Sequence, residues 1–399
     1  MKHYDYHDCS SIMNDDGFPT STSDIQRDTE EAVLQAISKA TPELLYSAPL
    51  LTIDYLKSGL NGLDSGYTTL ESSRPWLCYW MTHSLSLLGE DFPDETKMRI
   101  INTLNSLRSN RGGYGGNILQ LSHTAPTYAS VMALITVNSK EAFQSIQRGR
   151  LYRFFLSLKR PDGSFRVQED GESDTRALYT VLAVASITNI LTKELAENCH
   201  LWLKQTQNWY DGGIGGEPGN ESHGGYAYCG LASLVIMKEA FLIESPKQVH
   251  QILDIDRFVS WLYMRQMTVE GGFQGRINKL VDSCYSFWQG ACFMLLNRLG
   301  LGSFPACNVE KLYQYVLGSC LHTNGGLKDK PYSHRDYYHT CYALSGLAVV
   351  TDPALLSPPF NFQLRRTDPV YNINVDKIGR AKAFFAKLPS THKELMDLP

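Results

Sequence analysis

The 399-residue sequence has no excess of basic charge. Lys and Arg total 37 against 41 Asp and Glu, which gives a formal net charge of −4. A protein that binds nucleic acid through a basic surface needs the opposite balance, so nucleic acid is not an expected partner. Any anionic ligand must therefore be held by a local cluster of cationic side chains.

Segments typical of secreted or membrane-spanning proteins are also missing. The first residues lack the apolar core of a signal peptide, and no stretch approaches the roughly 18 apolar residues of a membrane span. The last residues carry no lipidation motif. The nine cysteines are scattered without a CxxC pair, which argues against a disulfide framework or a cysteine-rich zinc ribbon. We expect a cytoplasmic protein that does not span a membrane.

What the sequence does contain is a repeat of about fifty residues. Amphipathic stretches, such as residues 255–263, precede glycine turns, and segments that are apolar nearly all round and open with tyrosine follow them. The glycine turns, counted at Gly113, Gly163, Gly213, Gly272 and Gly326, are separated by 50, 50, 59 and 54 residues. The apolar segments are 128–137, 179–191, 226–237, 285–296 and 342–350, with 75–88 as a sixth.

The alternation of amphipathic and apolar segments predicts an all-α fold, an (α/α)6 toroid with paired inner and outer helices around a central cavity. An open solenoid is the alternative, but its terminal repeats would need polar caps. We expect one barrel domain over residues 28–389, which includes a linker at 357–369 and a last outer helix at 375–388. Residues 1–27 are expected to form a disordered polar arm, and residues 390–399 a C-terminal tail.

Polar residues open the predicted inner helices and should ring one mouth of the cavity, where a ligand site is expected. An Asp that opens a helix is usually an N-cap, and a lone buried His is usually satisfied by a hydrogen bond. The functional interpretation depends on the repeat bringing these residues to one mouth. They are His123, Asp174, Arg176, His223, Asp282, Cys284, Asp336 and His339.

Two groups of these residues suggest chemistry. Asp282, Cys284 and His339 offer three ligands, which would leave a tetrahedral Zn²⁺ one open position. Because residues two apart on a helix do not face the same way, Asp282 must lie at the N-cap or in the loop. Arg276 and Lys279, with His223 and Tyr285, would form an anion clamp, for which a solvated surface is the alternative.

Aromatic residues occur along nearly all the predicted inner helices. A packed core is the ordinary explanation, whereas a deep apolar cavity for a long hydrocarbon is the functional one. Together with an anion clamp, such a cavity would suit an isoprenoid diphosphate. The residues are Trp76, Tyr79, Trp80, Tyr179, Tyr226, Trp288 and Tyr342.

Several longer motifs resemble the beta subunits of protein farnesyltransferases, over about residues 74–371. They are RPWLCYW, APTY, PDGSF, GGIGG with HGGY, EGGFQGRINKLVDSCYSFWQ, and DKP with RDYYHTCYALSGL. The resemblance implies a zinc-dependent enzyme that transfers a farnesyl group from farnesyl diphosphate to the cysteine of C-terminal CaaX motifs. It also implies Mg²⁺ as a second metal and a heterodimer with a helical-repeat alpha subunit.

The resemblance also implies roles for individual residues. The zinc ligands are Asp282, Cys284 and His339, and Asp329 is the candidate for Mg²⁺. Arg276, Lys279 and Tyr285 join the zinc ligands as catalytic residues. Farnesyl diphosphate is assigned to His223, Tyr226, Arg276, Lys279, Tyr285, Trp288, Arg176, Trp76 and Tyr342. The CaaX peptide is assigned to Ser73, Trp76, Trp80, His123, Ala125, Pro126, Arg176 and Tyr338.

Three related classes are the alternatives. Geranylgeranyltransferase type I is similar, but resemblance to that enzyme would imply Thr, Phe and Lys where this sequence has Trp76, Tyr342 and Asp329. Terpene cyclases that act by protonation carry a DxDD motif, which the sequence lacks. A toroid used only for binding would have no reason to place a metal trio beside a basic clamp.

Overall fold

The structure is a computed structural model that describes residues 18–240, 242–243, 245–302, 307–350 and 363–399. Within these ranges the chain folds into helices joined by turns, with a 3₁₀ segment at Ser65–Ser73 and a π-helical turn at Gln314–Ser319. The α-helices are α1 Ser21–Lys39, α2 Pro42–Asn61, α3 Arg74–Leu87, α4 Asp94–Ser106, α5 Thr124–Val137, α6 Lys140–Ser145, α7 Arg148–Leu158, α8 Thr175–Ile187, α9 Lys193–Ala196, α10 Cys199–Gln205, α11 Gly224–Glu239, α12 Pro246–Ile252, α13 Ile255–Tyr263, α14 Tyr285–Trp288, α15 Gly290–Arg298, α16 Val309–Tyr313, α17 Tyr337–Val350, α18 Val375–Phe385 and α19 His392–Asp397.

The apolar segments form a closed inner ring. Helices α3, α5, α8, α11, the α14–α15 pair and α17 each pack on the next, and α17 packs back on α3. Closure buries these helices on nearly every side, which explains why their sequences are apolar all round. The closed ring confirms the predicted α/α toroid and excludes the open solenoid. One predicted inner helix is interrupted at Gln289, so that residues 285–296 divide between α14 and α15.

Each glycine turn lies against the outer helix of the next repeat. At Gly112, which has a φ of 99°, a Cβ atom would lie 2.1 Å from the carbonyl oxygen of Arg150 in α7. At Gly325, with a φ of 75°, a Cβ atom would meet the backbone of Leu51 in α2 at 2.2 Å. These positions therefore require glycine. The corresponding glycine contacts identify α2, α7, α10, α13 and α16 as outer helices, and α4, which packs on α5, completes the outer ring.

Helix α2 thus takes the sixth outer position, beside the last glycine turn and against α3. The expectation that residues 375–388 supply the last outer helix is wrong. Helix α18 from that segment packs instead on the inner helices α5 and α8. Its buried Lys377 donates to Ser86 Oγ and to the Thr136 carbonyl.

All six inner helices run in the same direction, because an outer helix returns the chain between them. Their N-termini therefore gather at one end of the toroid, which we call the mouth. There, the backbone N–H of a residue at the start of one inner segment donates to a carbonyl in the turn of the next repeat. The bonds run from Arg74 to Gly116, Thr124 to Val167, Thr175 to Gly216, Gly224 to Gly275 and Ser283 to Asp329.

Residues 370–374 close the opposite end, which we call the floor. Buried tyrosines from four consecutive inner helices donate hydrogen bonds from their hydroxyls to backbone carbonyls of this segment. These bonds give the buried carbonyls the partners that they would otherwise lack. The bonds are Tyr79 to Asn372 at 2.8 Å, Tyr128 to Tyr371 at 3.1 Å, Tyr179 to Val370 at 2.8 Å and Tyr228 to Val370 at 3.0 Å. Part of the linker expected just before it, residues 357–362, lies outside the described residues.

The predicted disordered arm, residues 1–27, extends too far along the chain. Residues 1–17 lie outside the described part, but α1 begins at Ser21, within the range assigned to the arm. A capping box at Thr20 starts this helix, and Val33 is buried where α1 packs on residues 314–319. At the other end, residues 392–397 form α19, which docks on α7 through the buried Leu395. In the described ranges, no helix is long and apolar enough to cross a membrane.

Candidate active site

Three residues at the mouth form a possible metal centre. One ligand atom from each of Asp282, Cys284 and His339 lies within 4.8 Å of the others. Asp282 and Cys284 directly precede α14, whereas His339 lies in the first turn of α17, and these two helices pack together. Asp282 Oδ1 accepts a hydrogen bond of 2.9 Å from the Cys284 amide, which places both side chains at the start of α14.

The charges around His339 favour a cation. Its Nδ1 lies 2.6 Å from Asp336 Oδ2, and its Nε2 lies 3.3 Å from Asp282 Oδ1. Burial opposes protonation of the ring, but the two carboxylates outweigh it and raise the pKa of His339 to about 10. Burial likewise opposes ionisation of Asp282, yet its bonds to His339 and to Cys284 lower its pKa. The same carboxylates would stabilise a divalent ion in place of the Nε2 proton.

Zn²⁺ fits this donor set. An imidazole, a thiolate and a carboxylate are its usual ligands, and three protein ligands leave a position for a fourth. Burial and Asp282 raise the pKa of the Cys284 thiol well above its ordinary value, but a coordinated ion overrides this because a metal-bound thiol is deprotonated. Asp336 holds the other nitrogen of His339 and so fixes the ring orientation. Sequence reasoning placed Asp336 at the mouth without a role, although its spacing three residues before His339 was a usable signal.

A second group at the mouth suits an anion. His223 caps α11, and its Nδ1 accepts a 3.0 Å bond from the Gly225 amide. Burial and the charge of Arg276 lower the pKa of His223 to about 4, so the ring is neutral near pH 7. Its proton is then on Nε2, which donates to the Tyr285 hydroxyl at 3.0 Å. The Tyr285 hydroxyl hydrogen is left available for an anionic oxygen.

Two cations lie on the loop that leads to Asp282. Arg276 Nη1 donates a 2.8 Å bond to Glu221 Oε2, on the loop before α11. The charge of Arg276 acts on both His223 and Tyr285, which places the guanidinium near them. Lys279 is exposed on the same loop. The contact with Glu221 was missed because nothing in the residue pattern indicates that positions 221 and 276 pair.

A cluster of aromatic rings lies beside the metal group, where the Tyr338 ring meets that of His339 edge-on at 4.9 Å. The Trp288 ring lies 4.3 Å from that of Tyr342, and its Nε1 donates to the Tyr338 hydroxyl at 3.1 Å. Trp76 stacks on Trp80 at 5.7 Å, and Trp80 meets Tyr338 edge-on at 5.4 Å. These contacts join α3, α14 and α17 into one aromatic wall, which suits a long apolar ligand.

The other expected residues lie at the mouth ends of neighbouring inner helices. Ser73 directly precedes α3, and His123 caps α5 by accepting from the Ala125 amide, with Pro126 buried beside it. Burial lowers the pKa of His123. Arg176 lies in the first turn of α8, the next inner helix.

The Arg176 side chain is fixed by two neighbours. Asp174 Oδ2 binds its Nε and Nη2 at 2.9 and 2.5 Å. The guanidinium also lies over the ring of Tyr226, 5.6 Å from the centroid. Sequence reasoning had placed Asp174 at the mouth but had not recognised that it orients Arg176.

Asp329 is the exception among the expected ligands. Its carbonyl accepts a 2.9 Å bond from the Ser283 amide, so the backbone is adjacent to the metal group. Its carboxylate, however, forms an ion pair with Lys330. Across the described residues, the possible metal cluster contains Asp282, Cys284 and His339 without Asp329.

Comparisons with known proteins agree with the toroid fold. The family model of the prenyltransferase alpha-alpha toroid domain matches residues 51–373. Protein farnesyltransferase subunit beta of Pisum sativum is 35% identical over 387 residues, which cover 79% of this chain and 90% of that protein. Its counterpart from Arabidopsis thaliana is 36% identical over 406 residues, covering 84% and 82%.

A solved structure shares the fold. It is Candida albicans protein geranylgeranyltransferase-I complexed with GGPP, with a TM-score of 0.70 and 20% identity. The match covers 84% of this chain and 98% of that chain. At this identity the likeness establishes the α/α toroid and leaves the choice of prenyl donor to the residues of the site.

Proposed function

The chain belongs to the family of protein farnesyltransferase beta subunits, and from this membership we propose that it carries the catalytic site for farnesylating CaaX proteins. The observation that carries the proposal is the position of the Asp282–Cys284–His339 group. Asp282 and Cys284 lie at the end of the loop that also presents Arg276, and His339 contacts the aromatic ring of Tyr338 on α17. The substrates are farnesyl diphosphate and a protein that ends in CaaX.

The metal group prepares the nucleophile. Zinc held by Asp282, Cys284 and His339 would lower the pKa of a coordinated substrate thiol, so that thiolate is present near neutral pH. Asp336 accepts a hydrogen bond from the Nδ1–H of His339, which leaves Nε2 as the nitrogen that would bind the ion. The substrate sulfur then forms a bond to C1 of the farnesyl chain, and the bond from C1 to the diphosphate oxygen breaks.

The anion group acts on the departing diphosphate. Negative charge grows on the diphosphate oxygens as the bond to C1 breaks, and donors already in place stabilise it. The Tyr285 hydroxyl donates one hydrogen bond, since His223 holds its oxygen, while Arg276 and Lys279 supply positive charge. We propose that Asp329 would hold a Mg²⁺ ion, whose charge would help to neutralise the departing diphosphate. Its backbone bond to Ser283, next to the metal group, supports this assignment.

The aromatic wall holds the hydrocarbon and the peptide. Trp288, Tyr226 and Tyr342 would contact the farnesyl chain, with Trp76 limiting its length at the far end. The CaaX residues would lie between the chain and the mouth, against Trp80, Tyr338 and His123. Ser73, Ala125 and Pro126 complete this side, and Arg176, fixed by Asp174, would bind near the terminal carboxylate.

The relatives are named as beta subunits, so we propose that this chain works as a heterodimer with an alpha subunit. We place the complex in the cytoplasm. The test is to co-express the chain with the alpha subunit of its source organism and measure transfer to a CaaX peptide. Farnesyl diphosphate and geranylgeranyl diphosphate should be compared as donors, with a peptide whose cysteine is replaced by serine as the control.

We expect zinc-dependent transfer of the fifteen-carbon group to the cysteine peptide and none to the serine peptide. Transfer that prefers the twenty-carbon donor would instead favour geranylgeranyltransferase type I. A purified complex that binds neither donor would contradict the proposed function.

A further inference from the structure

We infer that Glu221 is a positioning residue that holds Arg276 ready for the diphosphate, an inference that rests on the proposed function. Glu221 and Arg276 come from different repeats, 55 residues apart in the chain. They meet where the loop before α11 passes the loop before α14. The bond from Glu221 Oε2 to Arg276 Nη1 measures 2.8 Å.

The backbone fixes this meeting point. The amide of Gly224 donates a 2.9 Å bond to the carbonyl of Gly275, directly beside the side-chain contact. Both side chains therefore start from backbone positions that are held relative to one another. The contact then depends mainly on the side-chain rotamers of Glu221 and Arg276.

The guanidinium can serve two partners at once. Arginine has five N–H donors in a planar fork, and Glu221 engages Nη1. Other donors remain for a phosphate oxygen on the side where the charge of Arg276 already acts on His223 and Tyr285. A carboxylate on one edge of the guanidinium thus leaves another edge available to the anion.

Holding Arg276 in place should strengthen binding. A long, partly exposed arginine loses rotamer freedom when it binds an anion, and a fixed contact removes part of that cost beforehand. The negative charge of Glu221 acts in the opposite direction. Because the Glu221 and Arg276 side chains are 52% and 39% exposed, water screens this repulsion, and we expect the positioning effect to be larger.

The chain offers matched variants. Glu221→Ala removes both the charge and the acceptor, whereas Glu221→Gln removes the charge and keeps an acceptor oxygen. Glu217→Ala is the control, since Glu217 is an exposed carboxylate on the same loop. Arg276→Ala and the double variant Glu221→Ala/Arg276→Ala show whether Glu221 acts through Arg276.

The measurement is the Kd of farnesyl diphosphate for the purified heterodimer. We expect Glu221→Ala to raise this Kd about fivefold, while Glu221→Gln and Glu217→Ala each change it by less than about twofold. In the Arg276→Ala background, Glu221→Ala should add no further change.

Tighter binding in both Glu221 variants would overturn the inference, because it would show that the charge alone matters. An equal loss with and without Arg276 would overturn it too. In both cases wild-type binding would leave the proposed function intact. A wild-type complex that does not bind farnesyl diphosphate would overturn both.

Discussion

His339 Nδ1 lies 2.6 Å from Asp336 Oδ2, while the same residue's backbone N–H donates to Asp336 Oδ1 at 2.7 Å. One carboxylate thus orients the first turn of α17 and the imidazole ring that faces Asp282. The contact links helix formation to the metal centre, because the residue that starts the helix also fixes the tautomer of a ligand.

Replacing Asp336 with Asn should therefore weaken the metal site and leave the fold intact. The amide oxygen still accepts from the His339 backbone, but the negative charge that holds the Nδ1 proton is lost. We expect zinc affinity to fall about 10- to 100-fold, as measured by competition with a chelator. Asp254→Asn, at the cap of α13, is the control and should retain wild-type affinity. Unchanged affinity in Asp336→Asn would refute the role of Asp336.

The low pKa of His223 predicts a pH-dependent stability. The folded pKa of about 4 lies below the ordinary value of 6.5, so on acidification the unfolded chain takes up the proton first. Stability should fall as the pH drops from about 6.5 to about 4, by about 2 kcal/mol between pH 7 and pH 5.

Urea unfolding at the two pH values tests this prediction. Asn can cap α11 in place of His223 but does not titrate, so His223→Asn should lose about 2 kcal/mol less than the wild type on acidification. His250→Asn, at an exposed position, should behave like the wild type. Identical pH dependence in His223→Asn and the wild type would show that the ring is not held neutral.

The aromatic wall predicts a change of donor length in Trp76→Thr. Removing the indole deletes the ring that stacks on Trp80 and lies 5.8 Å from Tyr128, which should make room for a longer hydrocarbon chain. The ratio of kcat/KM for the twenty-carbon donor over the fifteen-carbon donor should rise at least about tenfold. Trp209→Thr, which removes a tryptophan that is 82% exposed, should leave the ratio unchanged. An unaltered ratio in Trp76→Thr would exclude this residue as the length limit.

The floor predicts a stability cost far from the chemistry. Tyr79→Phe removes the hydroxyl that donates to the Asn372 carbonyl and leaves that buried carbonyl without this donor. The free energy of unfolding should fall by about 1–3 kcal/mol in urea titrations. Tyr210→Phe, at a half-exposed ring, should cost less than about 0.5 kcal/mol. Equal stability of both variants would mean that the floor bond contributes nothing.

Much of the fold could be predicted because the sequence itself repeats amphipathic stretches, glycine turns and apolar segments. Segments that are apolar on every side require burial on every side, and only a closed ring provides that for six helices. The outer position of α2 was missed because it depends on which helix Gly325 approaches, and sequence spacing does not encode such a contact. Residues 370–374 were missed for a similar reason, since their burial becomes evident only from the four tyrosines that bond them.

The candidate site also contains residues that the sequence predicted and residues whose roles it did not reveal. The types and order of Asp282, Cys284 and His339 in the sequence were enough to predict a shared ion. The partners that orient the key side chains, such as Asp336 for His339 and Glu221 for Arg276, are ordinary carboxylates in the sequence. Their roles emerge only when the toroid brings loops from different repeats together or sets a rotamer.

The most direct test measures zinc content and farnesyl transfer together in the heterodimer. The wild type should hold about one zinc per chain and transfer the farnesyl group, and Cys284→Ala should lose both. Cys292→Ala is the matched control, because Cys292 is also buried but bonds the Trp288 carbonyl and lies outside the metal group. It should retain zinc and activity. Full zinc content and full transfer in Cys284→Ala would contradict the assignment of the metal centre.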